Sequence, residues 1–108
     1  MKPFDSGEET GTIRVRVDAD LEELMPRFME NRREDITAIE SALAAGDFET
    51  IESLAHGLKG SGGGYGFDEI TRIGIALESA AKVRRRGDIQ KSLDHLARYL
   101  AQVDIIYE

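Results

Sequence analysis

The stretch from His56 to Gly66, HGLKGSGGGYG, sets a histidine one helical turn from a lysine inside a glycine-rich run. Near neutral pH an imidazole is often uncharged, which leaves a ring nitrogen free to act as a nucleophile. Lys59, three residues on, is spaced to neutralise a phosphoryl group carried on that ring. The glycines would normally end a helix, yet the residues on both sides run at helical spacing. Each helical glycine costs about 1 kcal/mol relative to alanine, so either the helix stops near Gly60 and a flexible loop follows, or a helix through this cluster needs a reason. Clearance is one: bare backbone lets another protein's surface come close to the imidazole.

The spacing sharpens this reading. A helix advances about 100° per residue, so with Ile51, Ala55 and Leu58 at the centre of the apolar face His56 falls roughly 120° away, at the edge of the core and toward solvent. Its neighbours on the helix surface are Glu49, Glu52, Lys59, Gly60 and Gly63. Two phosphate-binding loops are excluded. A P-loop needs its lysine directly after glycine, whereas Lys59 precedes Gly60. A dinucleotide fingerprint begun at Gly60 or Gly62 would need glycine at Tyr65 or Phe67.

The elements that must position this histidine read as helices. Residues 1–17 are expected to be mobile or extended: a polar stretch with Pro3, Gly7 and Gly11, then TIRVRVD at strand period, too short and solitary to imply a sheet. A short helix is expected at about 19–25 and a longer one at about 26–45, with Pro26 in the first turn of the second. Gly46 and Asp47 form a stop-and-start signal before a third helix from Phe48. Asp68 is expected to cap a fourth helix, and Gly87-Asp88 to repeat the stop-and-start. Ile89, Leu93, Leu96, Leu100, Val103 and Tyr107 alternate steps of four and three, a seam that extends the last helix to the chain's end. Short loops between amphipathic helices point to an all-α fold, an antiparallel up-and-down four-helix bundle with a short extra N-terminal helix, spanning 18–108.

Composition narrows the function classes. The chain has 108 residues, no cysteine, and 21 acidic against 14 basic side chains, for a net charge of -7. It is long enough for one modest core. Absence of cysteine excludes disulfides and thiolate metal sites and fits a reducing cytoplasm. The acidic balance disfavours a nucleic-acid partner. No apolar run approaches the roughly 20 residues that span a bilayer, and the first residues carry no apolar signal core.

The segment AHGLKGSGGGYGFDEITRIGIALE resembles the signature of histidine-containing phosphotransfer (HPt) domains: a histidine, lysine-glycine three and four positions on, a small residue next, a glycine ten positions on, and a leucine-glutamate pair in the following helix. His56, Lys59, Gly60, Ser61, Gly66 and Leu77-Glu78 fill those positions. The resemblance extends over about 18 to 105. It implies a helical phosphorelay carrier rather than an enzyme. His56 would accept a phosphoryl group from a receiver-domain aspartate, and Lys59 would screen its charge. Gly60, Ser61 and Gly63, with Glu52 beside them, would border the docking surface, and Gly66 would allow the turn into the next helix. The resemblance further implies no cofactor of the chain's own, magnesium on the partner receiver, a hybrid sensor histidine kinase as a further partner, a monomer, and a cytoplasmic location.

Other residues have plainer readings. His95 lacks basic or glycine-rich neighbours and reads as a surface residue; two histidines so far apart make no metal pair. Arg84 to Arg86 read as cations serving a helix C-terminus. Phe28, Phe48 and Phe67 read as core, while Tyr65 either packs beneath its helix or rims the docking surface. Two other functions stay open on the residues alone. One is a docking module without phosphate transfer. The other is a small hydrolase using His56 as a base, which would need a second acid or metal ligand that the sequence does not supply.

Overall fold

The computed structural model describes residues 12–108. The expectation of mobility for 1–11 lies outside the described residues. Strand β1 (Ile13–Val17) leads into a 3-10 helix (Ala19–Leu24) and then four α-helices: α1 (Met25–Ala44), α2 (Phe48–Tyr65), α3 (Asp68–Lys82) and α4 (Arg86–Gln102). Strand β2 (Val103–Tyr107) closes the chain. Each helix contacts its sequence neighbours, and α1 also meets α4, so the four close into a ring in chain order.

Local chemistry explains most of the boundaries. Pro26 sits in the first turn of α1, where its missing N–H costs no hydrogen bond. Gly46 takes the left-handed conformation, φ 70°, after α1. Asp47 then caps α2, its carboxylate accepting from the Thr50 amide at 3.2 Å and the Thr50 hydroxyl at 2.6 Å. Those bonds hold the Asp47 carboxyl below its ordinary value.

Helix α2 runs through its glycines to Tyr65. Gly66 ends it at φ 88°, and the Phe67 amide donates back to the Gly62 carbonyl at 2.8 Å. This left-handed closure satisfies carbonyls that the helix end would otherwise orphan. Phe67 is fully buried against Phe28, their ring centroids 5.1 Å apart, and so anchors the closure in the core. Tertiary anchoring offsets the poor helix propensity of the segment.

Several boundaries differ from the sequence expectations. Asp68 is the first residue of α3 rather than its cap, a place where its charge favours the helix dipole. The turn after α3 is made by Arg84, at φ 59°, not by Gly87, which lies inside the first turn of α4. The arginines do not supply the cation of the last turn of α3, which is Lys82, and Arg86 opens α4. Instead Arg84 and Arg86 lie over the Phe48 ring at 5.6 and 5.2 Å, and Arg86 donates to the Leu43 carbonyl near the end of α1 at 2.9 Å. Finally, α4 stops at Gln102. Val103–Tyr107 pairs in parallel with β1, Ile13 opposite Val103 and Val17 opposite Tyr107. The segment TIRVRVD is therefore not solitary, because its partner comes from the other end of the chain. The residues expected as a short N-terminal helix form the 3-10 helix.

The core is continuous across all four helices, with Ile39, Ile51, Phe67, Ile70, Leu77, Ile89 and Leu96 fully buried. Its tightest contact joins α2 to α3. A Cβ at Gly74 would lie 2.6 Å from the Lys59 amide nitrogen, and one at Gly62 would lie 2.8 Å from the Phe67 carbonyl oxygen. Both glycines therefore permit backbone-to-backbone packing that no side chain could share. Gly57, by contrast, has nothing within 4 Å of where its Cβ would stand. Gly74→Ala should destabilise the fold by about 1–3 kcal/mol through overpacking. Gly57→Ala should stabilise it by about 0.5–1 kcal/mol through helix propensity. Urea unfolding of both variants checks the opposite signs.

Candidate functional site

His56 projects from the middle of α2 with its side chain 70% exposed. Two groups lie beside it. Glu78 on α3 approaches the ring, its Oε2 3.4 Å from His56 Nδ1. Lys59, on the next turn of α2, donates from Nζ to Glu78 Oε1 at 3.0 Å. One carboxylate thus faces both the imidazole and the ammonium of the motif, and it is itself only 17% exposed. The Lys59 hydrogen bond is the main force holding the Glu78 carboxyl below its ordinary value of 4.5. Partial burial opposes it, while the charge of Lys59, the His56 contact and Lys82 add to it.

The contact is chemically directional. A carboxylate facing Nδ1 favours the proton on that nitrogen and leaves the lone pair on Nε2. Because Nδ1 faces α3, Nε2 is the nitrogen left for an external electrophile. Glu49, Glu52 and Ser53 complete a shallow depression with His56 and Glu78, about 290 Å³ in volume. Such an open depression suits an approaching protein surface better than an enclosed small molecule.

The expected site residues separate in space. His56, Lys59 and the half-buried Glu52 come together on one side of α2. Gly60 and Gly63 are exposed; nothing stands within 4 Å of a Cβ at Gly60, and at Gly63 only the Thr71 hydroxyl is near, at 3.7 Å. Ser61 departs from expectation. Five residues after His56, roughly 140° around the helix, its hydroxyl donates to the Leu58 carbonyl at 3.1 Å and accepts from Arg32 of α1 at 2.8 Å. Arg32 also binds Asp35 at 2.9 Å, and burial raises the Asp35 carboxyl despite that partner. Ser61 therefore ties α2 to α1 and does not border the histidine. Gly66 forms the capping turn at the far end of α2. Tyr65 packs against Phe28, centroids 4.7 Å apart, which decides between its two readings.

Comparison with known proteins agrees with this geometry. The family model for the Hpt domain matches residues 23–105. The chain belongs to the Hpt domain family. No curated protein and no solved structure matches it significantly. As an Hpt domain it is a phosphotransfer carrier of two-component signalling rather than an enzyme, of a family whose members interact with receiver domains and kinases. No described helix is long and apolar enough to cross a membrane.

Sequence reasoning assigned no role to two residues of this Hpt domain's site, Glu78 and Gly74. Both sit in GIALE, four residues apart and hence on one face of α3. The leucine-glutamate pair of the signature was the available signal for Glu78, and the four-residue interval sets Gly74 one turn before it. The depressed carboxyl of Glu78 gives a signed prediction. A folded-state value below the unfolded one contributes stability above about pH 4.5, and the contribution is lost as pH falls through the folded value. Glu78→Gln should therefore lower stability at pH 7. The difference from wild type should shrink toward pH 3, as read by urea unfolding across that range.

Proposed function

We propose that this Hpt domain carries its phosphoryl group on Nε2 of His56. The observation that carries the reading is the exposed imidazole, its Nδ1 turned to Glu78 and its other nitrogen open to solvent beside bare glycine backbone. In the transfer, the Nε2 lone pair attacks phosphorus of a receiver's aspartyl phosphate. An N–P bond forms as the P–O bond to aspartate breaks, and the aspartate leaves as a carboxylate. The proton on Nδ1 stays in place, and the Glu78 charge stabilises the ring as it becomes cationic. Lys59, held within reach by Glu78, screens the phosphoryl oxygens. Magnesium belongs to the receiver. In-line approach and charge neutralisation are the main demands of such a step, so one oriented histidine suffices on this side.

Gly60 and Gly63 give clearance to the receiver, Glu52 borders the contact, and Gly66 sets the turn that ends the docking helix. The four α-helices between Met25 and Gln102 make the bundle, and the short links between helices adjacent in a ring support an antiparallel up-and-down arrangement. The chain works as a monomer in the cytoplasm, taking phosphate from or returning it to receivers fed by a hybrid sensor kinase, with no nucleic-acid or membrane partner.

Incubation with a phosphorylated receiver and magnesium should place acid-labile, base-stable phosphate on the wild-type chain and none on His56→Gln. Absence of label across a broad receiver panel would instead favour a docking module without transfer. Gly60→Gln should slow transfer by about tenfold to a hundredfold through misplacement of the reacting groups. Its melting temperature should not fall, since the added Cβ meets nothing within 4 Å. Unchanged transfer in that variant would count against the clearance role.

A further inference from the structure

A second surface lies away from His56, beyond the C-terminal end of α2. A cleft of about 620 Å³ opens between β1 on one side and the first turn of α3 and the second half of α4 on the other. Four consecutive residues of β1, Ile13 to Arg16, line it. Successive strand side chains point to opposite faces, so only the edge of a strand presents four in a row. Among the described residues β1 is paired on one side alone, with β2, and none of them adds a strand to the edge along the cleft, which carries its own backbone donors and acceptors.

Two further observations give this cleft a chemical character. Tyr99 lines it and is only 3% exposed, yet its hydroxyl has no hydrogen-bond partner among the described residues. A buried hydroxyl without a partner is costly, and ligand binding is one reason for a protein to keep one. Burial, then the charges of Glu69 and Asp68, push this hydroxyl up to about 12, so it stays a donor.

The charges around the cleft are unevenly paired. Glu69 is occupied by Arg72 at 2.9 Å and by His95 at 3.0 Å, and Arg16 is paired with Glu108 at 3.4 Å. Arg14 and Arg98 have no carboxylate partner among the described residues, and they face one equally unpaired carboxylate, Asp68. In a chain of net charge -7, this cleft is left with a surplus of guanidinium.

We propose that the cleft is a second docking site, which takes an extended acidic segment of a partner protein as a third strand on the free edge of β1. The added strand bonds the open backbone of Ile13 to Arg16, and its carboxylates meet Arg14 and Arg98. One of its carbonyls accepts from Tyr99. Strand addition of this kind draws affinity from the main chain and specificity from alternating side chains. The site is independent of the phosphoryl chemistry: Gly66 lies ten residues past His56, about 15 Å along the helix.

The probe is a blocked hexapeptide of alternating valine and glutamate, titrated into the full chain and followed by backbone amide shifts. Perturbation should centre on Ile13–Arg16, Arg98 and Tyr99 and spare His56. The matching valine-lysine peptide should bind at least about tenfold more weakly, as opposed charges across one strand pair require. Tyr99→Phe, which keeps the ring in the core, should weaken the glutamate peptide about twofold to tenfold. Arg98→Glu, an exposed change, should narrow or invert the preference between the peptides. Equal affinity for both peptides, shifts centred on His56, or no binding at millimolar peptide would overturn the proposal. So would concentration-dependent dimerisation through β1 in place of peptide binding, which would assign the edge to a second copy.

Discussion

The site depends on how closely α2 and α3 approach each other. At Gly74 the two backbones meet with no room for a Cβ, and the Lys59 amide and the Ala55 carbonyl fill the space it would need. A second contact of the same kind, at Gly62 against the Phe67 carbonyl and Thr71, fixes the far end of the pair. Between these points the Thr71 hydroxyl donates to the Lys59 carbonyl at 3.2 Å. Close packing of this sort leaves little freedom to slide or rotate, because interiors tolerate neither voids nor overlaps. It brings Glu78, one turn beyond Gly74, within reach of residues on another helix.

Glu78 then organises the charges. It is the shared partner of the lysine and the histidine, which are three residues apart on α2. Its limited exposure strengthens both contacts relative to a surface ion pair. The result is an imidazole whose inward nitrogen is occupied and whose outward nitrogen is not. On the exposed side Gly60 and Gly63 present bare backbone. On the opposite side of α2, Ser61 and Arg32 fasten the helix to α1.

Much of this was legible in the residues. Ile51, Ala55 and Leu58 define the buried stripe of α2, and that stripe alone puts His56 toward solvent. Gly46-Asp47 and Pro26 mark boundaries because their effects are local: a left-handed turn, a side-chain cap, a missing donor. The expectation failed where a local signal had a stronger competitor elsewhere. Gly87 is as good a turn residue as Gly46, but Arg84 took the left-handed position. Its guanidinium and that of Arg86 gain contact with Phe48, a residue distant in sequence. Val103 and Tyr107 continue a helical seam by spacing, yet they form a strand because β1 offers a hydrogen-bonding partner from the opposite terminus.

By itself the sequence determined the helices, the buried face of each, the exposure of His56 and the presence of a cation one turn away. These follow from periodicity and short-range sterics, which act between residues a few positions apart. Only the tertiary structure decided which carboxylate lies against the histidine and the lysine, which glycines stand bare at the surface and which admit a packed backbone. It also decided that the chain's two ends close into a sheet. Each of those outcomes is a contact between residues far apart in sequence. The hydrogen bond or exclusion of volume that sets it exists only once the helices have met.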